Sequence, residues 1–232
     1  MERLEFIRAF QAGRRAFPGV DLRGLRMSGH TLEGLDLRGA KLDNSALIAS
    51  RFLEVDFSGV SFEASSLRNA LFRQCDLSRA RFFDAEVTGA DFTGCVLVEA
   101  DFTGAQNLSE AILGTCNLRG AILAGQLLTG VHLLGAELSE ADLSHSELVA
   151  AHLRTARLER ACLIGADLRR KDPRRPVIGE IDQRVTRGAD GGGVDPTLLG
   201  FIGRALDQQC TSIGRQFGMW RKRLCDRYWL LR

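Results

Sequence analysis

From Leu22 onward, every fifth residue is large and apolar. The series runs without a polar interruption to Phe102, steps over one extra residue around Gln106, and resumes from Leu108 to Leu168. Two residues ahead of each such position stands a small side chain (Ala, Ser, Cys or Val), with Leu25, His30, Leu35, Gln106 and Gln126 as the exceptions. A helix repeats its buried face about every 3.6 residues and a strand about every 2. A period of five fits neither, so the backbone has to turn once per step. Each step then buries one large and one small side chain, and such units must stack to form a core.

Several of the five-residue units read alike: Ala90-Asp91-Phe92-Thr93-Gly94, Ala100-Asp101-Phe102-Thr103-Gly104, Ala141-Asp142-Leu143-Ser144-His145 and Ala166-Asp167-Leu168-Arg169-Arg170. They resemble the A(D/N)LXX unit of pentapeptide-repeat proteins, over roughly residues 20–170. The resemblance implies an all-β solenoid, a right-handed quadrilateral β-helix with four units to each square coil. Thirty steps make about seven and a half coils, and at about 4.8 Å per coil the rod is roughly 36 Å long. Residues twenty apart then share a column. Phe62, Phe82 and Phe102 form one ladder; Phe52, Phe72 and Phe92 form another on the opposite wall. Cys75, Cys95 and, allowing for the extra residue, Cys116 form a third column, expected to act as small buried hydrophobes rather than as a redox or metal site.

Both ends of such a stack need covers. Residues 1–19 are expected to cap the start, with a short amphipathic helix over 2–12 whose apolar residues are Leu4, Phe6, Ile7 and Phe10. Residues 171–197 hold three of the four prolines and the run Gly191-Gly192-Gly193, which reads as a linker. From 198 to 232 the apolar residues follow helical spacing, with Asp195 as an N-cap candidate ahead of Pro196. This C-terminal α-helical segment holds both Trp, the single Tyr and a basic cluster of Arg221, Lys222, Arg223 and Arg227. Phe201, Ile202, Leu206, Ile213, Phe217, Trp220 and Leu224 are its candidate cap or dimer residues. In gyrase-binding members of the family such segments form a dimer contact, so the resemblance implies a homodimer.

The overall charge of +2 conceals an uneven distribution. Residues 173–232 are net basic and residues 19–172 net acidic. Between Arg81 and Arg154 lie Asp84, Glu86, Asp91, Glu99, Asp101, Glu110, Glu137, Glu140, Asp142 and Glu147, with Arg119 as the only basic residue among them. The side chain just ahead of each central apolar residue points outward in the implied fold, so Asp36, Asp56 and Asp76 stack as like charges one coil apart. Stacked like charges repel, and duplex DNA presents a comparable regular array of negative charge. A narrow acidic rod is therefore a candidate for a basic DNA-binding saddle. The competing reading is that Asp at this position satisfies backbone groups of the turn.

No P-loop, GxGxxG, GxSxG or HExxH motif is present, and no CxxC spacing, so neither an enzyme nor a zinc site is expected. His132 and His152 share an outward column without a third ligand, and His30 reads as an irregularity near the first coil. No cofactor or metal is expected. No apolar run approaches the roughly 18 residues of a membrane span, and the acidic start, Met1-Glu2-Arg3-Leu4-Glu5, differs from a signal peptide. The expectation is a cytoplasmic chain. The family resemblance implies a DNA mimic that binds a type II topoisomerase, chiefly DNA gyrase, through the acidic residues named above and not through direct nucleic-acid binding by the rod. With no long loops it resembles the loopless mimics. The alternative is a scaffolding repeat protein that binds another protein partner and is anchored by its basic C-terminal helix.

Overall fold

Backbone pairing repeats every twenty residues, the length of four five-residue steps. The computed structural model describes residues 3–168, and throughout the solenoid each step pairs in parallel with the step one coil away. On one wall the pairing is continuous enough to form strands. These are β1 (Thr31–Glu33), β2 (Arg51–Leu53) and β3 (Leu71–Arg73), with Leu32 beside Phe52 and Phe52 beside Phe72. The other three walls are held by single parallel bridges at the same spacing, such as Asp36 to Asp56 to Asp76 and Ser61 to Arg81 to Asp101. The result is a four-walled β-helix.

One step accounts for all its backbone amides. The Asp36 amide donates to Arg15 O in the coil below (2.9 Å), and those of Leu37 and Gly39 donate to Asp56 O and Ser58 O in the coil above (2.8 Å each). The Ala40 amide closes the corner on Leu37 O at 3.0 Å, and the Arg38 amide donates to the Asp36 carboxylate at 3.2 Å. No amide is left for water to satisfy, which suits a wall with a dry interior.

The corner residue takes the left-handed region. Gly39 does so at φ 63°, but Asn44, Ala49 and Glu54 adopt it as well, at 57°, 53° and 54°. Each non-glycine corner costs about 1 kcal/mol. The cross-coil bond made by that same amide offsets it, as for Ala49 to Arg68 O at 2.7 Å.

Inside, the two phenylalanine ladders run along opposite walls. Ring centroids are 4.8 and 4.7 Å apart along Phe52, Phe72 and Phe92, and 5.4 and 4.6 Å along Phe62, Phe82 and Phe102, all stacked. Across the axis the contacts are edge-on, as for Phe82 and Phe92 at 5.7 Å and 82°. Stacking within a column and edge-to-face contact between columns satisfy the ring quadrupoles together. Above Phe102 every central position is Leu and every one is buried. Serines in the small slot hydrogen-bond inward to carbonyls, Ser50 Oγ to Met27 O at 2.7 Å, for example. Among the described residues no buried polar side chain lacks a partner.

Two local expectations need correction. The extra residue is Asn107: Gln106 still bridges Glu86, while Asp91 bridges Ile112, one residue further than usual. The small slot at this step therefore belongs to Ala105, which is buried, and Gln106 points outward. Asn107 (φ 59°) and the short 3-10 turn Leu108–Glu110 absorb the insertion and return Leu108 to the core. At the start, α1 (Arg3–Gln11) caps the first coil through Phe6, whose ring meets Phe17 edge-on at 4.8 Å. Ile7 and Phe10 pack beside it, whereas Leu4 is 67% exposed and takes no part in the lid. Leu4 lies two residues from Phe6, about 200° around the helix, and so on the opposite side.

The linker at 171–197 and the segment 198–232, with Phe201, Ile202, Leu206, Ile213, Phe217, Trp220 and Leu224, lie outside the described residues. Among those described, no helix is long and apolar enough to cross a membrane.

Phe72 touches rings above, below and across the axis. Phe72→Ala is expected to cost about 3–5 kcal/mol in guanidinium unfolding followed by circular dichroism. Phe72→Leu, which installs the residue found at most other central positions, is expected to cost well under half as much.

Candidate interaction surface

The outward side chains fall into four faces, each a set of columns along the rod. The first face carries Asp36, Asp56, Asp76, Val96, Asn117, Glu137 and Arg157 in register. The second carries Lys41, Ser61, Arg81, Asp101, Ile122, Asp142 and Cys162. The third runs through Ser66, Glu86 and Gln106 and, beyond the insertion, through Leu127, Glu147 and Asp167. The fourth runs through Arg51, Leu71, Asp91, Ile112, His132 and His152.

The acidic stretch read along the sequence is therefore wrapped around the rod. Glu99, Glu137 and Glu140 belong to the first face or the corner that closes it. Asp84, Asp101 and Asp142 belong to the second, Glu86, Glu110 and Glu147 to the third, and Asp91 to the fourth.

Half of these carboxylates are met by arginines one coil away. Asp91 pairs with Arg73 (2.8 Å), Glu140 with Arg119 (2.9 Å), Glu99 with Arg79 (3.2 Å), Glu137 with Arg157 (3.3 Å) and Glu86 with Arg68 (3.5 Å). Four of those arginines lie outside the acidic stretch in sequence, which is why a count along the chain overstates the charge. Asp36 and Asp56 are likewise bridged by Arg38, at 2.7 and 3.6 Å, so the stacked aspartates on the first face are interleaved with a cation. Such exposed pairs contribute at most about 1 kcal/mol each, yet they cancel local potential.

The remaining five, Asp84, Asp101, Glu110, Asp142 and Glu147, make no ion pair among the described residues, and all five stand on the second and third faces. These faces adjoin. Beyond Arg81 neither presents a Lys or Arg as far as Leu168, and Arg160 is the nearest, at the corner leading into the second face. At Asp84 a bare corner makes room: a Cβ on Gly104 would lie 2.6 Å from the Asp84 carboxylate.

The outward aspartates also have a structural task. Asp101 accepts the Thr103 amide and Asp142 the Ser144 amide, both at 2.9 Å, and Glu137 accepts that of Ser139 at 3.1 Å. Asp91 accepts from both the amide and hydroxyl of Thr93. Burial raises the Asp91 pKa, but Arg73 and Thr93 outweigh it and hold the carboxyl below the usual range. For Asp36 the hydrogen bond from Arg38 is the main cause of a similar lowering.

The cysteine column is buried as expected. Hydrogen bonding with Cys95, then burial, pushes the Cys75 thiol up, and burial pushes Cys116 up to about 12. Cys116 also donates to Phe92 O at 2.9 Å. His132 and His152 stack at 4.9 Å on the fourth face. Among the described residues no three His, Cys, Asp or Glu are placed to hold a metal ion.

One feature of these faces escaped the sequence reading. Apolar side chains replace polar ones in the outward positions: Phe83, Ile122 and Ile164 on the second face and Leu127 on the third, between 39% and 63% exposed. Sorting the sequence by column, twenty residues to a turn, exposes them at once.

A family model described as "Pentapeptide repeat region" matches residues 26–102, and one described as "Pentapeptide repeats (8 copies)" matches 107–144 and 136–170. Among solved structures, full-length QnrB1, a plasmid-mediated fluoroquinolone resistance protein, is 23% identical with a TM-score of 0.42, covering 82% of this chain and 99% of that one. HetL, a pentapeptide repeat protein involved in heterocyst differentiation regulation in the cyanobacterium Nostoc, is 24% identical with a TM-score of 0.36, covering 83% and 99%. A pentapeptide repeat protein of the Arabidopsis thaliana thylakoid lumen is 25% identical with a TM-score of 0.30, covering 44% and 68%. No curated protein matches the chain.

Because the folded pKa of Asp91 is depressed, its contribution is present above the ordinary carboxylate value and is lost as pH falls through the lowered one. Below about pH 4 the unmodified chain is expected to lose stability more steeply than Asp91→Asn, as read from thermal midpoints across pH. Thiol labelling mapped by mass spectrometry is expected to modify the partly exposed Cys162 well before Cys75, Cys95 or Cys116 in the native protein.

Proposed function

The chain belongs to the pentapeptide-repeat family, and from that premise we propose that it is a non-enzymatic DNA mimic. In this reading the second and third faces of its right-handed rod occupy the DNA-binding saddle of a type II topoisomerase, DNA gyrase above all. The observation that carries the reading is that, within the acidic stretch from Asp84 to Glu147, all five carboxylates without an ion pair stand on two adjoining faces.

The charge density is of the right order. Three coils separate Asp84 from His145, beside Asp142 and Glu147, a rise of about 14 Å. Over that length the two faces present Asp84, Asp101, Glu110, Asp142 and Glu147 unpaired, with Glu86 answered by Arg68. Duplex DNA carries a charge about every 1.7 Å of axis, or about eight over the same rise. A saddle lined with Lys and Arg meets a comparable field on a rod whose backbone is already fixed, so little ordering entropy is lost on binding. Occupancy excludes DNA and modulates the enzyme or shields it from poisons that act on the DNA-bound form. The flat walls make the contact, since the insertion at Asn107 adds no projecting loop.

A second reading, a scaffold that displays a protein-binding surface, is favoured by the exposed Ile122 and Leu127, which a purely electrostatic mimic does not need.

A gyrase supercoiling assay separates the two. The purified protein is expected to inhibit supercoiling, and less so as salt rises. Asp101→Asn, Asp142→Asn and Glu147→Gln combined keep the acceptors for the turn amides while removing charge. They are expected to weaken inhibition by about tenfold or more. Asp91→Asn, on the fourth face, is expected to leave it unchanged. Absence of any effect on gyrase at low salt refutes the mimic and leaves the scaffold.

A further inference from the structure

Apolar residues on the second and third faces are exposed at the surface of the rod. Ile122 and Leu127 occupy outward positions in a single coil, with Phe83 two coils below and Ile164 two coils above. At about 4.8 Å per coil they form an interrupted strip roughly 19 Å long, apolar in alternate coils. Carboxylates stand in the coils between, Asp101 one coil below Ile122 and Asp142 one coil above, with Glu147 one coil above Leu127. A surface of this kind suits an amphipathic segment that is apolar on one side and basic at its margins.

The chain itself contains such a segment. Residues 198–232 carry Phe201, Ile202, Leu206, Ile213, Phe217, Trp220 and Leu224 at helical spacing, with Arg221, Lys222, Arg223 and Arg227 clustered near the end. Seven basic residues stand there against Asp207 and Asp226. The described rod ends at Leu168, next to Asp167 of the third face and four residues after Ile164 of the second. The intervening residues 169–197 span up to about 95 Å when extended, several times the length of the strip. Capping the opposite end takes one helix of nine residues, so sixty-four residues beyond Leu168 far exceed what covering a coil end requires.

We propose that residues 198–232 dock in cis along the second and third faces of their own rod. Their apolar side covers Phe83, Ile122, Leu127 and Ile164, and their basic cluster lies against Asp101, Asp142 and Glu147. The docking stands on the complementarity of the two surfaces and does not depend on which external partner the rod serves. If that partner uses the same faces, as the mimicry reading has it, the segment competes with it and sets its apparent affinity.

Two natural reporters make the test clean. Both Trp residues, Trp220 and Trp229, lie in this segment and none lies in the rod; the only lysines are Lys41, Lys171 and Lys222. The full-length protein is treated with a zero-length carbodiimide at low salt, and amide cross-links are mapped by peptide mass spectrometry. Trp emission is recorded in parallel. Docking in cis predicts intrachain links from Lys222 to Asp101, Asp142 or Glu147. It also predicts a red shift of Trp emission when salt is raised to about 1 M, where the Debye length is about 3 Å. Asp101→Asn, Asp142→Asn and Glu147→Gln combined are expected to cut total Lys222 cross-linking at least fivefold and to red-shift the emission at low salt. Asp36→Asn on the first face is expected to do neither. Links that join two chains overturn docking in cis and assign the segment to a second copy. Lys222 links confined to other faces, or no links together with emission indifferent to salt and to the triple variant, overturn it outright. No topoisomerase enters the experiment, so its failure is separate from that of the mimicry reading.

Discussion

The bond that most corner amides make to a carbonyl of the next coil organises the rest of the molecule. It is made by the residue that sits in the left-handed region, so the strained conformation and the contact that offsets it belong to one peptide unit. A corner that failed to close would leave that amide unpaired and swing the next inward pair out of line, and all later columns with it. The insertion shows how local the tolerance is. Asn107 adds one residue, the short turn that follows takes up the slack, and Leu108 re-enters the core; the third-face bridge between this step and Leu127 is lost, while the bridges of the other three faces continue past it. The rod accepts the extra residue because the neighbouring walls remain fixed by pairing above and below.

That division explains why the interior could be read from the sequence and the surface only in part. Inward positions are encoded twice, by the period of five and by the identity of the side chain, so the phenylalanine ladders and the buried cysteine column follow from counting. Leu4 and Gln106 were misplaced because both judgements were local, one ignoring the direction of a helix face and the other the exact site of the extra residue. Charge was misjudged for a different reason. Residues twenty apart in sequence are neighbours in space, so Arg68, Arg73, Arg79 and Arg157 reach carboxylates from which they look remote. The acidic stretch that looks continuous along the chain is answered by arginines on the first and fourth faces and at Glu86 on the third, while its other carboxylates on the second and third faces stand unpaired.

The two readings of the outward aspartate turn out to be compatible, and the side chains that separate them are identifiable. Accepting the amide two residues on needs a carbonyl-type oxygen, not a charge, and Asn117 fills the same role for Arg119 at 3.2 Å. Turn chemistry therefore explains why Asp or Asn stands at these positions but not why the acid is used at Asp101 and Asp142, where no arginine answers it. It explains still less at Asp84 and Glu110, which stand at or beside corners and not in the column ahead of the core residue. The excess charge on these faces lies beyond what the turns require.

Charge alone does not describe these faces either. Ile122 replaces what is Asp in the coil below and Asp in the coil above, and Leu127 precedes Glu147 in the next column. Leaving such side chains in water forgoes about 25 cal/mol for every Å² that a partner would cover, while the carboxylates around them repel one another until a cation arrives. Both deficits are relieved by the same kind of occupant, one that brings apolar surface and positive charge in register. DNA-binding saddles and basic amphipathic segments both meet that description in part, and residues 198–232 of this chain have the apolar spacing and basic cluster of the second. A tethered occupant competes at an effective concentration set by its linker, not by its abundance. On the docking proposed above, an external partner of these faces has to displace residues 198–232, and its apparent affinity then depends on that segment as well as on the carboxylates.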